Sequence, residues 1–123
     1  MVHERTDLAL RDLGGLLQLA GDYSVNEMKV NAGDWVADRT LAELRLRDEG
    51  IAVLGLTRTD GEYLGAPTGS TTVRPGDILV LYGRDDSLKE IDHRAAGYEG
   101  DRMHDLAVGR QEQIERQEAI DRA

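Results

Sequence analysis

The sequence predicts an α+β fold: a small mixed sheet with short helices packed on it, flanked by an N-terminal helix and a polar C-terminal helix. Three observations carry that prediction. The runs Ile51 to Leu56 and Ile78 to Tyr82 are apolar and of strand length, and each adjoins a turn pair, Asp60-Gly61 or Pro75-Gly76. Two helix-start signatures, Thr40 with Glu43 and Ser87 with Glu90, have the S/T-x-x-E form of the capping box. Beyond Gly97 the chain turns polar, with Met103, Ala107, Ile114 and little else apolar. The boundaries that follow are 1–24 for an N-terminal helix or linker, 25–97 for the central domain and 98–123 for a polar helical tail.

In chain order, Leu13, Leu16, Leu17 and Ala20 fall at i, i+3, i+4 and i+7, one helical stripe. Gly14-Gly15 weakens that stripe by about 1 kcal/mol per glycine. The segment is either a helix lying on the domain or a linker or dimerisation element. Ser24 to Val30 alternates as a strand with mixed faces, and "NAGDW" is the turn after it. Thr40 opens a helix of two to three turns with Leu41 and Leu44 on its apolar face, which Gly50 ends in the left-handed conformation. Ile51 to Arg58 reads as a strand covered on both sides, and Asp60-Gly61 is a favoured two-residue hairpin pair returning through a strand at Glu62 to Leu64.

"GAPTGSTTV" is a connection with a short strand at its end. In "RPGD", Pro75 supplies the fixed φ and Gly76 the positive φ of a type II turn. That turn is expected to force a hairpin and set the register of a central strand over Ile78 to Tyr82. Ser87 and Glu90 then open a helix presenting Leu88 and Ile91. In the tail, Glu112 with Arg116 and Glu118 with Arg122 are i, i+4 ion pairs on a solvated helix.

Composition narrows the function. At 123 residues and 40% apolar, the chain builds one modest core, from Leu, Val, Ile and Ala because Phe is absent. A net charge of −9, with arginines interspersed among acids, opposes phosphate backbones and anionic membranes, so no nucleic-acid binding and no direct membrane insertion are expected. The absence of cysteine excludes disulfides and thiolate sites and fits a cytoplasmic location. The start, "MVHERTDLAL", has neither signal-peptide layout nor a spanning run, so a soluble chain is expected, with any membrane portion supplied elsewhere.

Catalytic chemistry is not indicated. His3, His93 and His104 fall in separate segments and read as surface histidines, not ligands. Ser70 and Ser87 are explained by a turn and a cap. "DGEYLGAPTGS" lacks the Gly-Lys-Ser/Thr ending of a phosphate loop. The pairs Asp48-Glu49 and Asp85-Asp86 read as capping or solvated carboxylates. No enzyme is expected.

The stretch from Met28 to Ile91 resembles the TrkA C-terminal domain, or RCK C-lobe, over about residues 25 to 95. That family shows a strand, a G-x-x-L-x-E-L type helix, I-x-V-x-x-I-x-R, P-x-x-x-T and PGD-x-L-x-x-x-G. The matching residues are Thr40 to Leu44, Ile51 to Arg58, Pro67 to Thr71 and Pro75 to Gly83; Asp38-Arg39 stands where the family often has a glycine.

The resemblance implies a TrkA-C-like regulatory domain that forms a homodimer and acts on a cation transporter or channel, in trans or through a membrane portion outside this chain. It places the protein at the inner face of the membrane through that partner. It also implies a small anionic ligand such as cyclic di-AMP, lined by Val53, Leu54, Gly55 and Arg58. Arg58, the one charge ending an apolar strand, either offers its guanidinium fork to a phosphate or marks the strand's exit to water. The family's nucleotide-binding Rossmann half leaves no trace in the sequence, so NAD or ATP binding is not expected. The competing function is a structural dimerisation module of a transporter with no ligand.

Overall fold

The computed structural model describes residues 22–122. The leucine stripe before Asp22, read as helix or linker, and His3 lie outside the described residues. The strands are β1 (Tyr23–Lys29), β2 (Arg39–Thr40), β3 (Ala52–Thr57), β4 (Tyr63–Gly65), β5 (Thr72–Val73) and β6 (Ile78–Arg84). The helices are α1 (Leu41–Leu44), a 3-10 turn over Leu46–Glu49, α2 (Asp85–Asp92) and α3 (Tyr98–Arg122). The α+β architecture is present as a four-stranded sheet in the order β1-β6-β3-β4 and a two-stranded ribbon of β2 with β5. Among the described residues every strand pairing is antiparallel, so the sheet they form is antiparallel where a mixed one is expected from the sequence.

The core sits on one face of this sheet. Alternate residues Met28, Leu79, Leu81 and Leu56 point there and are buried, joined by Val30, Leu44, Leu46, Ile51, Leu88 and Ile91. Strand β6 is central, paired with β1 from Tyr23↔Arg84 to Lys29↔Ile78 and with β3 from Ala52↔Tyr82 to Thr57↔Ile78. Leu54 sits at a bulge between Val53 and Gly55 and is 42% exposed, so β3 is not covered on both sides as its apolar run predicts.

The "RPGD" turn has the expected form: the Asp77 amide donates to the Arg74 carbonyl at 3.0 Å and Gly76 has φ +94°. It does not make a hairpin. Strand β5 belongs to the ribbon, and the turn carries the chain from there into the sheet. Register comes from β1: the Gly76 amide donates to the Val30 carbonyl at 2.7 Å, and the Val30 amide to the Asp77 carbonyl at 2.8 Å. The Asp60-Gly61 pair also closes differently, as a three-residue loop between the paired Arg58 and Glu62, with Gly61 left-handed at φ +91°.

The capping box forms as predicted: the Glu43 amide donates to Thr40 Oγ1 at 3.2 Å, and the Thr40 amide to Glu43 Oε1 at 3.1 Å. The helix behind it is shorter than its pattern. Leu44 and Leu46 are both buried, yet on a continuous α-helix residues two apart project to nearly opposite sides. Arg45 resolves the conflict by entering the left-handed region at φ +48°, which swings Leu46 onto the same core. A 3-10 turn follows and ends at Gly50, φ +80°. Asp38, in place of the family's glycine, is left-handed at φ +63°, a conformation that Asp tolerates better than most residues.

The second predicted capping box is absent. Helix α2 begins at Asp85, two residues before Ser87, with Arg84 at the cap and no side-chain cap bond. Asp85 instead accepts from Ser24 Oγ, Glu90 turns to Arg94, and Leu88 and Ile91 face the core. The tail is the 25-residue helix α3, whose buried positions are Gly100, His104 and Ala107. Among the described residues, neither Glu112 with Arg116 nor Glu118 with Arg122 forms an ion pair. No helix of the described residues is long and apolar enough to cross a membrane.

Candidate functional site

A cleft of about 430 Å³ opens between α1, the 3-10 turn and the first half of β3. Its walls are Leu41, Ala42, Leu46, Ile51, Ala52, Val53 and Leu54, and Pro67 and Gly69 form the rim. The left-handed residues Arg45 and Gly50 create it by folding the 3-10 turn back against β3. The rim is tied to α1, because the Ala42 amide donates to the Gly69 carbonyl at 2.9 Å and the Leu41 amide to the Thr71 carbonyl at 3.0 Å. Those bonds use amides at the helix N-terminus that would otherwise attract an anion.

The charge at the cleft is Arg47, exposed and, among the described residues, without an acidic partner. An apolar wall with one guanidinium suits a flat apolar ring bearing an anionic group. The volume falls within the roughly 300–1,000 Å³ usual for small-molecule sites.

Of the four residues implied by the family resemblance, Val53 and Leu54 line this cleft. Gly55 lies beside it, beneath the Tyr63 side chain: a Cβ at Gly55 would come within 2.3 Å of the Tyr63 hydroxyl. Arg58 stands apart, at the hairpin end of β3. Its Nη1 donates to Asp77 Oδ2 at 2.5 Å and to the Thr72 carbonyl at 2.8 Å. Asp77 is 1% exposed and also accepts from the Arg74 amide at 2.8 Å. Arg58 therefore neutralises a buried carboxylate and joins sheet to ribbon.

A second constellation lies behind the cleft. Arg94 is wholly buried and grips Glu49 with both ends of its fork, Nη1 to Oε2 at 2.9 Å and Nη2 to Oε1 at 2.6 Å. It also bonds Glu90, with Nε at 3.0 Å from Oε2, and lies 4.5 Å from the centre of the Trp35 ring. Burial works to lower the Arg94 pKa, but the hydrogen bonds to Glu49 and Glu90, with their charges, hold it above the ordinary arginine value.

His104 stacks on Trp35 at 5.0 Å and donates from Nδ1 to Glu49 Oε2 at 2.5 Å. Arg45 Nη2 lies 3.2 Å from His104 Nε2; a guanidinium can only donate, so Nε2 accepts and the proton sits on Nδ1. His104 and Glu49 are thus buried partners, where the sequence alone reads a surface histidine and a solvated carboxylate. One signal was in the chain: Glu90 and Arg94 stand one helical turn apart. The contacts of Arg94 and His104 with Glu49 span 45 and 55 residues and have no local signature.

A further groove of about 410 Å³ between α2 and α3 is lined by Arg84, Asp86 and Arg110 among others, but Arg84 is already paired with Asp86 at 3.3 Å. Among the described residues, no cluster of His, Asp or Glu is placed to hold a metal ion.

Residues 25–95 match the family model of the TrkA-C domain. Among solved structures, the RCK C domain of the potassium transport protein KtrA, in complex with cyclic diadenosine monophosphate, is 25% identical with a TM-score of 0.51. That match covers 63% of this chain and 89% of the KtrA one. The GsuK channel bound to NAD and the GsuK RCK domain are each 26% identical, with TM-scores of 0.49 and 0.48 over 60% of this chain. This chain spans only 14% and 16% of those two. No curated protein matches.

Proposed function

Because the chain belongs to the TrkA-C domain family, we propose that it is a regulatory domain of potassium or other cation transport that binds a small anionic ligand in the cleft behind β3. The observation that carries this reading is the pairing of an apolar wall, including Val53 and Leu54, with Arg47 at its edge, which has no acidic partner among the described residues. The KtrA C domain, the relative that this chain matches over most of that domain's length, was solved with cyclic di-AMP. In this reading the adenine rings lie on the apolar wall and Arg47 meets a phosphate. Two copies pair through the exposed Leu54 edge, so each cleft supplies one guanidinium to a two-fold symmetric dianion. Local cations are needed because the chain as a whole carries −9. Gly55 keeps β3 thin beside the cleft, and Arg58 holds the strand's far end. A ligand that prefers one arrangement of the pair shifts the transport partner toward the matching state, as linkage requires.

Titration calorimetry against cyclic di-AMP, linear dinucleotides, mononucleotides and potassium tests the reading. Saturable heat with one cyclic dinucleotide per two chains is expected. Arg47→Ala removes a hydrogen bond to a charged group, worth about 1.5–3 kcal/mol, and should weaken binding about 10- to 150-fold. No heat across the panel, with a dimer still present in sedimentation, would leave a structural pairing module in its place.

A further inference from the structure

The 3-10 turn Leu46–Glu49 has two faces. Leu46 and Arg47 look into the cleft, whereas Glu49 points the other way and is 3% exposed. Its carboxylate receives Arg94 from the end of α2 and His104 from α3. Helix α3 then follows the back of the same segment. Two turns past His104, the Gln111 amide covers Gly50 so closely that a Cβ there would lie 2.4 Å from its Oε1. Arg45 and Gly50, both left-handed, bound the segment, and within it Arg47 at the cleft and Glu49 at the buried cluster are only two residues apart. None of α3 falls within the residues matched to the family.

We propose that the cleft and α3 are coupled through Leu46–Ile51: filling the cleft tightens the docking of α3, and loosening α3 opens the cleft wall. The ligand half of this coupling rests on the cleft reading above, while the mechanical half stands on the two-faced turn alone. The output is the far end of α3. From His104 to Arg122 the helix runs about 27 Å at 1.5 Å per residue, exposed over its last turns. A small rotation at Glu49 therefore becomes a large displacement at the end of α3.

Hydrogen exchange on the full chain tests both halves, comparing wild type with His104→Ala, His104→Asn and Gln111→Ala, each with and without cyclic di-AMP. In His104→Ala and Gln111→Ala, the amides of Leu46 to Val53 should exchange about 5- to 150-fold faster. That change must exceed the change at β1 and β6, which reports global stability. His104→Asn, which keeps a donor near the Nδ1 position, should restore protection; Gln111→Ala keeps the test open if His104→Ala does not fold. In wild type, saturating cyclic di-AMP should slow exchange over residues 100–111, and His104→Ala should bind cyclic di-AMP more weakly by no more than that factor, because coupling is reciprocal.

If α3 amides accelerate while the wall is unchanged, or if wall, β1 and β6 accelerate equally, the coupling is refuted. If cyclic di-AMP binds but neither α3 protection nor variant affinity moves, the coupling falls and the ligand reading stands. If no ligand binds and the wall still loosens in the α3 variants, the coupling stands and the ligand reading falls.

Discussion

Replacing Arg94 by methionine isolates the energetics of the buried charge cluster. Arg94 makes four hydrogen bonds to two carboxylates, and its side chain and that of Glu49 are 0% and 1% exposed. Methionine fills much of the same volume but leaves Glu49 a desolvated anion whose remaining donor is His104. Removing one partner of a buried pair costs about 3–5 kcal/mol, against a total stability of about 5–15 kcal/mol for a domain of this size. Urea unfolding followed by circular dichroism reads the loss. With a slope of about 1–3 kcal/mol/M, the midpoint should fall by at least about 1 M. The double variant Arg94→Met with Glu49→Leu removes both charges and should recover part of the loss, since an apolar pair often matches or exceeds a buried ion pair. Recovery stays partial because His104 Nδ1 loses its acceptor. A single-variant loss below about 1 kcal/mol would refute a closed, dry ion pair. A double variant no better than the single one would assign the loss to guanidinium packing on Trp35 rather than to charge.

Two glycines should respond in opposite ways. A Cβ at Gly100 would lie 2.1 Å from the Ala95 carbonyl oxygen and 2.6 Å from Trp35 Cδ1, so Gly100→Ala should cost about 1–3 kcal/mol in thermal unfolding. The clash at Gly55 is with Tyr63, whose side chain is 59% exposed and can swing away, so Gly55→Ala should cost less than about 1 kcal/mol; equal losses would contradict the packing of α3 on Trp35. The Thr40 amide and then its hydroxyl hold the Glu43 carboxyl below the ordinary glutamate pKa. Its contribution is therefore present above that ordinary value and lost as pH falls through the lowered one. The stability gap between wild type and Glu43→Gln should be constant near neutrality and close in acid; a gap that persists at pH 2 would contradict the box. Arg58→Ala strands the buried Asp77 and should cost about 3–5 kcal/mol, whereas Arg47→Ala should stay within about 0.5 kcal/mol. Chemical denaturation of the pair thus separates an arginine that maintains the fold from one that the fold does not need, and similar losses would overturn that division.

Elements set by local chemistry were legible in the sequence. The Thr40–Glu43 box, the type II turn at Pro75-Gly76 and the strand of Ile78 to Tyr82 each follow from residues within a few positions of one another. Failures came where a distant contact outranked a local pattern. The helix after Thr40 breaks because Leu44 and Leu46 must reach one core, and Glu49 must face a partner 45 residues away. The Ser87 box gives way because Asp85 is engaged by Ser24 from another strand, which starts the helix earlier. The apolar run marks Ile51 to Thr57 as a strand, but not that a bulge turns Leu54 outward and leaves β3 covered only in part. At the candidate site, Val53 and Leu54 came from the family resemblance. Arg47 has no signature in the sequence, because an exposed arginine is set apart from the others only by the cavity beside it.

Trp35 is the sole tryptophan of the chain, and it is 3% exposed beneath His104, with Arg94 and Arg39 over its ring at 4.5 and 4.6 Å. Its indole Nε1 donates to Asp101, in the first turn of α3, at 2.9 Å. The protein therefore has a native fluorophore packed against the first turns of its longest helix. Lifting α3 would hydrate the indole and shift its emission to the red. Stopped-flow measurements of α3 undocking, and of its suppression by any compound that fills the cleft, can follow that colour change with no dye attached and no residue replaced.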